Sequence, residues 1–335
     1  ISLEVNFQTL YWWQYRKQSL RYAGGIKMEI IQDSIDFQLK KRSAVAIGKF
    51  DGVHRGHVEL LSHILKQKEQ GLKAVVFTFH PSAAVFFGQA KGAELTTRQE
   101  KRKMFEKMGI DILIEFPLNR ETAATPPEEF VRKILVHQMK AGYIAAGEDL
   151  SFGYKGLGNK ELLCKLAGEL NYQVRIIDKV YCGDKEISSS LVRKMVEKGD
   201  MTTVRELLGR PYSFDGEVEP GNRLGRRLGM PTVNLYPVKE KLLPPKGVYF
   251  SQVIYQDRIY QGITNIGQKP TVKENADISV ETYLYGFTGD LYGKEIVTEL
   301  LQFKRPEQKF ENVEALKRQM ERDIQEGAGY FLHVG

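Results

Sequence analysis

Cysteine is almost missing from this chain. Cys164 and Cys182 are the only two in 335 residues, and they form no CxxC pair. That excludes a disulfide framework and a cysteine-built zinc site, and it makes a reducing cytoplasm the expected compartment. Long apolar runs are missing too, so no stretch reads as a membrane span. The formal charge is +7, yet no block of five or more lysines and arginines appears. The mild excess suits anionic small molecules as well as nucleic acid, and without such a block a nucleic-acid footprint is not the leading reading. No G-x-x-x-x-G-K-[ST] string occurs, which excludes a P-loop kinase. Gly156-Leu157-Gly158 lacks the third glycine of a dinucleotide fingerprint.

Residues 1–27 stand apart from the rest. They hold Arg16, Lys17, Arg21 and Lys27 against one acid, Glu4. Their aromatic centre, Tyr11-Trp12-Trp13-Gln14-Tyr15, has neither the apolar region nor the cleavage site of a signal peptide. They are expected to be an upstream extension or a remnant of non-native origin, or else a native arm packed on the first domain. From 44 to about 182 strand and helix patterns alternate. Strands are expected at Ala44–Gly48, Ala74–Phe79, Ile112–Phe116, Tyr143–Gly147 and Val174–Ile177, and helices at about 57–69, 97–108, 127–139 and 159–170. This predicts a doubly wound α/β parallel sheet. Helical stretches at Ser189–Lys198 and Thr203–Leu208 come next.

After Pro211 the texture changes. Strand candidates at Tyr212–Val218, Thr232–Leu235, Val248–Tyr255, Arg258–Ile266, Ser279–Tyr285 and Glu295–Phe303 succeed one another without helices. That predicts an antiparallel β-barrel or sandwich. Val313, Leu316, Met320 and Ile324 mark one closing C-terminal helix. The expected domains are 28–210 and 211–335, with the boundary inside 185–211.

The string Gly48-Lys49-Phe50-Asp51-Gly52-Val53-His54-Arg55-Gly56-His57 sits between a buried strand and a helix whose apolar face is Val58, Leu61, Ile64 and Leu65. Such a turn offers free N–H groups to phosphate, and an α/β sheet presents its ligand crevice there. Gly52 and Gly56 let the backbone approach a phosphate, and two imidazoles can donate to charge building on it. For the bare His-x-Gly-His spacing, a surface loop that happens to carry histidines is an equal reading.

The whole string resembles the G-x-F-D-G-x-H-x-G-H motif of the bacterial FAD synthetase module, a nucleotidyltransferase. Thr78-Phe79, Asp111, Gly147-Glu148-Asp149-Leu150-Ser151-Phe152-Gly153 and Ile187-Ser188-Ser189-Ser190-Leu191-Val192-Arg193 match further motifs in order. Leu191, Leu150 and His80 depart from the usual arginine, phenylalanine and aspartate. The resemblance implies that His54 and His57 are catalytic, with Gly48, Phe50, Gly52, Gly56, Asp149, Ser189, Ser190 and Arg193 around ATP and its phosphates. Ser189-Ser190 alone reads equally well as a helix N-cap.

Gly216–Leu235 resembles the riboflavin kinase string G-x-V-x-x-G-x-x-x-G-R-x-L-G-F-P-T-A-N-L, with Met230 and Val233 as conservative departures. Lys246–Tyr249, Asn265-Ile266-Gly267 with Pro270-Thr271, Glu281 and Asp290–Gly293 come after it in the family's order. Gly221, Gly225, Arg226 and Gly229 lie in a loop able to wrap phosphates through backbone N–H groups. Thr232 and Asn234 alternate onto one face of a strand, where their oxygens can hold Mg2+. Alternation likewise puts Glu281 and Tyr283 on one face and Val280 and Thr282 on the other. The resemblance makes Glu281 the general base for the riboflavin 5′-hydroxyl and places Asn265 and Arg305 on the flavin.

Together the two resemblances imply a bifunctional enzyme. It would be an α/β nucleotidyltransferase domain followed by a β-barrel kinase domain, making FMN from riboflavin and FAD from FMN. ATP, riboflavin and FMN would be its substrates and Mg2+ its metal. The alternatives are a kinase with a weak or retuned adenylyltransferase half, and a flavin-sensing regulator that binds nucleic acid. The sequence sets no oligomeric state.

Overall fold

A computed structural model describes residues 27–88, 93–221, 224–268 and 278–334. Most of the N-terminal extension, and Pro270-Thr271, lie outside them. The chain forms two compact units that part between Ser189 and Ser190.

The first unit is a six-stranded parallel sheet: β1 (Glu29–Gln32), β2 (Ser43–Ile47), β3 (Lys73–His80), β4 (Ile112–Pro117), β5 (Ala141–Gly147) and β6 (Gln173–Ile177). Their spatial order is β1-β4-β3-β2-β5-β6. Five of these were expected. β1 is new: a four-residue edge strand with one half-buried residue is too short and too exposed to show a period. β2 is buried along its whole length. Val45 and Ile47 enter one core with Val75, Phe77 and Phe130. Ala44 and Ala46 enter the other with Leu61, Ile64 and Phe105. Burial on both faces is what a parallel sheet covered by helices requires.

The covering helices are α1 (Arg55–Lys66), α2 (Arg98–Met108), α3 and α4 (Lys160–Ala167). α3 begins as Pro127–Glu129 and continues as a π-helical stretch, Phe130–Gln138, which sequence periodicity does not distinguish from an α-helix. α2 opens with a capping box between Thr97 and Glu100. The strand order reverses at β2: the chain goes from β2 to β3 on one side and returns to β5 on the other. The crevice of a doubly wound sheet lies at the carboxyl ends of such a strand pair.

The second unit is a six-stranded antiparallel sheet curled into a half-barrel, with spatial order β10-β13-β12-β11-β14-β9. A two-stranded ribbon, β7 (Tyr181–Cys182) with β8 (Lys185–Glu186), precedes helix α5 (Ser189–Lys198) and helix α6 (Met201–Leu208). The strands are β9 (Tyr212–Glu217), β10 (Thr232–Leu235), β11 (Gly247–Tyr255), β12 (Arg258–Gln268), β13 (Ile278–Leu284) and β14 (Glu295–Pro306). All six were expected, to within three residues at each end. A bridge from Glu219 to Asn234 joins the chain just past β9 to β10. Tyr249, Thr264, Val280 and Thr282 are buried on the inner side. The closing helix, α7 (Val313–Val334), packs on the outer face, where Val248, Phe250 and Ile263 meet Phe331. Phe250 and Tyr330 stack at 4.3 Å. Asp323 fastens α7 by ion pairs to Lys304 (2.6 Å) and Arg305 (2.5 Å) on β14.

Candidate active sites

The carboxyl end of β2 runs into a loop with three left-handed residues among four. Phe50 has φ 51°, Gly52 has φ 82° and Val53 has φ 40°. Glycine adopts that region freely, but phenylalanine and a β-branched valine do not, and each such residue costs about 1–3 kcal/mol. The surroundings supply the compensation. Phe50 and Val53 are fully buried. The Phe50 ring lies over Gly48, where a Cβ would stand 3.1 Å from it, and meets Phe105 edge-on at 5.6 Å. The loop is also held from outside. Leu95 N–H and Thr96 N–H donate to Asp51 Oδ1 at 2.8 and 3.3 Å. Gly52 N–H donates to Thr96 Oγ1 at 3.0 Å.

This loop delivers His54 to the N-cap of α1 and His57 to its first turn. The two imidazoles stack at 3.7 Å with 21° between their planes, and Phe50 backs His57 at 5.2 Å. His54 is buried. Gly56 makes room for it, since a Cβ there would stand 3.2 Å from the imidazole. Beside them the chain leaving β5 turns at Gly147, with Leu150 N–H on Gly147 C=O at 3.1 Å, and exposes Asp149. Ser189 joins the same loop: its hydroxyl donates to Asp51 C=O at 2.8 Å. Two rings and a helix N-terminus therefore meet at the sheet's reversal point, with the exposed Asp149 just past the carboxyl end of the adjacent strand β5. They can position and neutralise phosphates.

Other sequence candidates have different positions. Ser190 is exposed and Arg193 half-buried on α5, past the division between the units. Asp111 is at the opposite end of the sheet. It accepts from Ala74 N–H at 2.9 Å and Lys73 at 3.1 Å. Burial pushes its carboxyl up, but these partners outweigh that and hold it below the usual range. Its motif position is thus structural. His80, ending β3, is held below the ordinary imidazole range by burial and then by Arg98.

The second unit carries a cavity of about 220 Å³. Gly221, Gly225, Arg226, Thr232, Asn234, Asn265 and Glu281 all line it. Register explains the convergence. Asn234 lies opposite Glu281, and Glu281 lies opposite Asn265. Directly opposed residues share a face, so an amide, a carboxylate and a second amide form one row across β10, β13 and β12. Thr232 is two residues along β10 on that same face. Val280 and Thr282 are buried on the other face, and Glu281 and Tyr283 are half-buried, as alternation predicts. Ser279 Oγ–H donates to Glu281 Oε1 at 3.3 Å.

The glycines of the loop are close-approach positions. A Cβ on Gly221 would stand 2.6 Å from Asn234 Nδ2, and one on Gly225 would strike Met230 C=O. Asn234 is buried, and its Oδ1 accepts from no described residue. A buried amide oxygen of that kind is suited to a hard cation. Among the described residues no group of three or more His, Cys, Asp or Glu forms a metal cage. A cation at Thr232 and Asn234 would therefore keep waters or phosphate oxygens as its other ligands, which is how Mg2+ is usually bound. Gly229, with φ 82°, ends the short helix Leu224–Arg227 outside the cavity wall. Arg305 lies outside it as well, committed to Asp323. The sequence motifs do not single out Thr96, Ser279, Phe287 or Glu307. Each takes its place through strand pairing or loop contact rather than through a local pattern.

Comparison with known proteins divides the chain in the same way. A family model described as FAD synthetase matches residues 36–191, and one described as riboflavin kinase matches 208–331. The chain is similar to the bifunctional riboflavin kinase/FMN adenylyltransferase of Listeria monocytogenes, 33% identical over 297 residues that cover 87% of this chain and 93% of that one. The protein of the same name from Escherichia coli K12 is 33% identical over 282 residues, covering 83% and 90%. A crystal structure named as a macrolide-efflux protein from Streptococcus pneumoniae superposes with a TM-score of 0.78 at 27% identity, covering 90% of this chain and 98% of that one. Among the described residues of this chain, no helix is long and apolar enough to cross a membrane.

Proposed function

The chain belongs to the bifunctional riboflavin kinase/FMN adenylyltransferase family, and from that membership we propose how its two sites divide flavin synthesis. The second unit transfers the γ-phosphoryl group of ATP to the 5′-hydroxyl of riboflavin, giving FMN and ADP. The first adenylylates FMN with a second ATP, giving FAD and pyrophosphate. The observation that carries the kinase assignment is the row Asn234–Glu281–Asn265 on the wall of one cavity. An alcohol is a poor nucleophile at neutral pH, and Glu281 is the carboxylate in that row able to take its proton. Gly221, Gly225 and Arg226, on the cavity wall, wrap the ATP phosphates, with Gly229 closing the turn behind them. Asn265 orients the flavin, and Arg305, which pairs with Val248 opposite Asn265 and is braced by Asp323, contributes from β14. Both families use ATP and a divalent metal. Thr232 and Asn234 are the residues that would hold it, with Mg2+ as the ion that fits an amide and a hydroxyl oxygen. When bound it neutralises phosphate charge.

In the first unit an oxygen of the FMN phosphate attacks the α-phosphorus of ATP, and the bond from that phosphorus to the leaving pyrophosphate breaks. No covalent enzyme intermediate is needed, so the chain's work is positioning and charge stabilisation. His54 and His57 donate to the transferring and leaving groups. The backbone of Gly48, Phe50, Gly52 and Gly56 leaves room for the nucleotide beside them, and Asp149 lines its pocket. Ser189, Ser190 and Arg193 bind phosphate. The functional domains accordingly run 28–210 and 211–335, which keeps Ser190 and Arg193 with adenylyl transfer. The scarcity of cysteine suits a reducing cytoplasm. Incubating the protein with riboflavin, ATP and Mg2+ and resolving the flavins by chromatography tests the reading. FMN should appear first and FAD after it, and chelation of the metal should stop both.

A further inference from the structure

The strained loop of the histidine string is fastened by residues outside the string as well as by its own buried side chains. Between β2 and α1 the backbone is left-handed at Phe50, Gly52 and Val53. His54 comes one residue later, so any relaxation of this loop rotates both imidazoles away from their stacked pose. The loop is fastened by a reciprocal exchange with residues 95 and 96. Asp51 Oδ1 accepts from the amides of Leu95 and Thr96, and Thr96 Oγ1 accepts from the amide of Gly52. Leu95 and Thr96 are buried. The next residue, Thr97, caps α2, where Glu100 N–H donates to its Oγ1 at 3.2 Å and its own N–H donates to Glu100 Oε2 at 2.8 Å. Thr96 therefore stands on a rigid helix start, and its hydroxyl meets a glycine amide that a straightened loop would withdraw.

We propose that Thr96 is a positioning residue for adenylyl transfer: its hydroxyl, accepting from Gly52 N–H, holds the loop that aims His54 and His57. The proposal rests on the assignment of those histidines to the reacting phosphates. Thr96 acts through the backbone of the loop, so its loss should appear in turnover rather than in substrate binding. Buried polar groups deprived of their partner are costly to leave unpaired, and small misplacements of catalytic groups cost large factors in rate.

The test uses the full chain. Thr96→Val keeps the side chain's shape and removes the hydroxyl, and Thr96→Ser keeps the hydroxyl. FAD formation from FMN and ATP is measured as kcat and KM separately, and riboflavin phosphorylation by the same preparations is the control for folding. Thr96→Val should lower the FAD-forming kcat about tenfold or more with little change in either KM. It should leave phosphorylation at the parent rate, and Thr96→Ser should restore most of the loss. Parental kcat in Thr96→Val overturns the proposal, as does a Thr96→Ser variant as impaired as Thr96→Val. His57→Ala is assayed beside them. A parental rate there removes the histidine assignment and this proposal with it. A slow His57→Ala with a fast Thr96→Val removes Thr96 alone. Amide hydrogen exchange on the unmutated chain gives a readout that needs no variant to fold. Gly52 N–H should be protected, and exchange as fast as an open-loop amide overturns the proposal.

Discussion

The two sites are built on opposite plans. The proposed kinase site is a row across a curled sheet: three side chains on adjacent strands, each in ordinary extended backbone, brought level by register. The proposed adenylyl site is a short loop in left-handed backbone, held by buried rings and by hydrogen bonds from residues more than forty positions away in sequence. A sheet-borne row carries its own geometry, so the identity of its side chains matters most. A loop-borne site borrows its geometry. It is therefore vulnerable to changes at residues with no chemistry of their own.

That contrast makes the largest expected loss a pure side-chain effect. Glu281→Gln keeps the shape and the strand pairing but cannot readily accept a proton. Riboflavin phosphorylation should fall by about 10²–10⁴, the usual contribution of a positioned base. FAD formation from supplied FMN should continue, and steady-state assays of both reactions on one preparation decide it. A mutant that phosphorylates riboflavin normally would take Glu281 out of the mechanism. His57→Ala should cost about 10²–10³ in FAD formation and spare FMN formation, the range for one preorganised donor. Equal damage to both reactions would erase the division.

The same contrast sets how much of the molecule is legible in its sequence. Strict alternation places Glu281 away from the core-facing Val280 and Thr282, and Thr232 with Asn234 on one face; period 2 is a local property that a sequence displays. The alternation of buried strands with amphipathic helices likewise gives away the parallel sheet. What no local pattern carries is pairing. That Asn234 stands opposite Glu281 is a statement about β10 and β13, whose residues lie 47 apart in the chain. The role of Thr96 is of the same kind, and so is the commitment of Arg305 to Asp323. The edge strand β1 and the π-helical winding of α3 escape for local reasons: one is too short to show a period, and the other shares its apolar spacing with an α-helix.

A smaller effect should come from Gly221→Ala. The added Cβ would press on the buried Asn234 amide, which has little freedom to retreat. Misaligning a cation ligand without deleting it should lower the kinase kcat/KM about tenfold and raise the Mg2+ concentration needed for half-maximal rate. A metal requirement unchanged from the parent would argue against Asn234 as its ligand.

The smallest effects on chemistry belong to a pair of buried carboxylates, one per unit. Burial pushes Glu115 up, but Arg102 and Arg98 outweigh it and hold its carboxyl below the usual range. Asp323 is likewise pushed up by burial and held down by Arg305 and Lys304. A folded pKa below the unfolded one stabilises the protein above the unfolded value, near 4, and that stabilisation is lost as pH falls through the folded pKa. Asp323→Asn should therefore cost on the order of 3 kcal/mol at pH 7. Calorimetric melting of parent and variant should show the gap narrowing as the solution is acidified. A gap that widens on acidification would have the sign wrong.

The proposed division gives each half of the chain one of the two reactions. Mixing two disabled chains tests it most directly. Glu281→Gln alone, given riboflavin, ATP and Mg2+, should yield almost no FMN, and His57→Ala alone should stop at FMN. Combined in one tube, they should turn riboflavin into FAD, because FMN made by one is consumed by the other. A mixture that accumulates FMN and makes no FAD, while Glu281→Gln still converts supplied FMN, would contradict that claim.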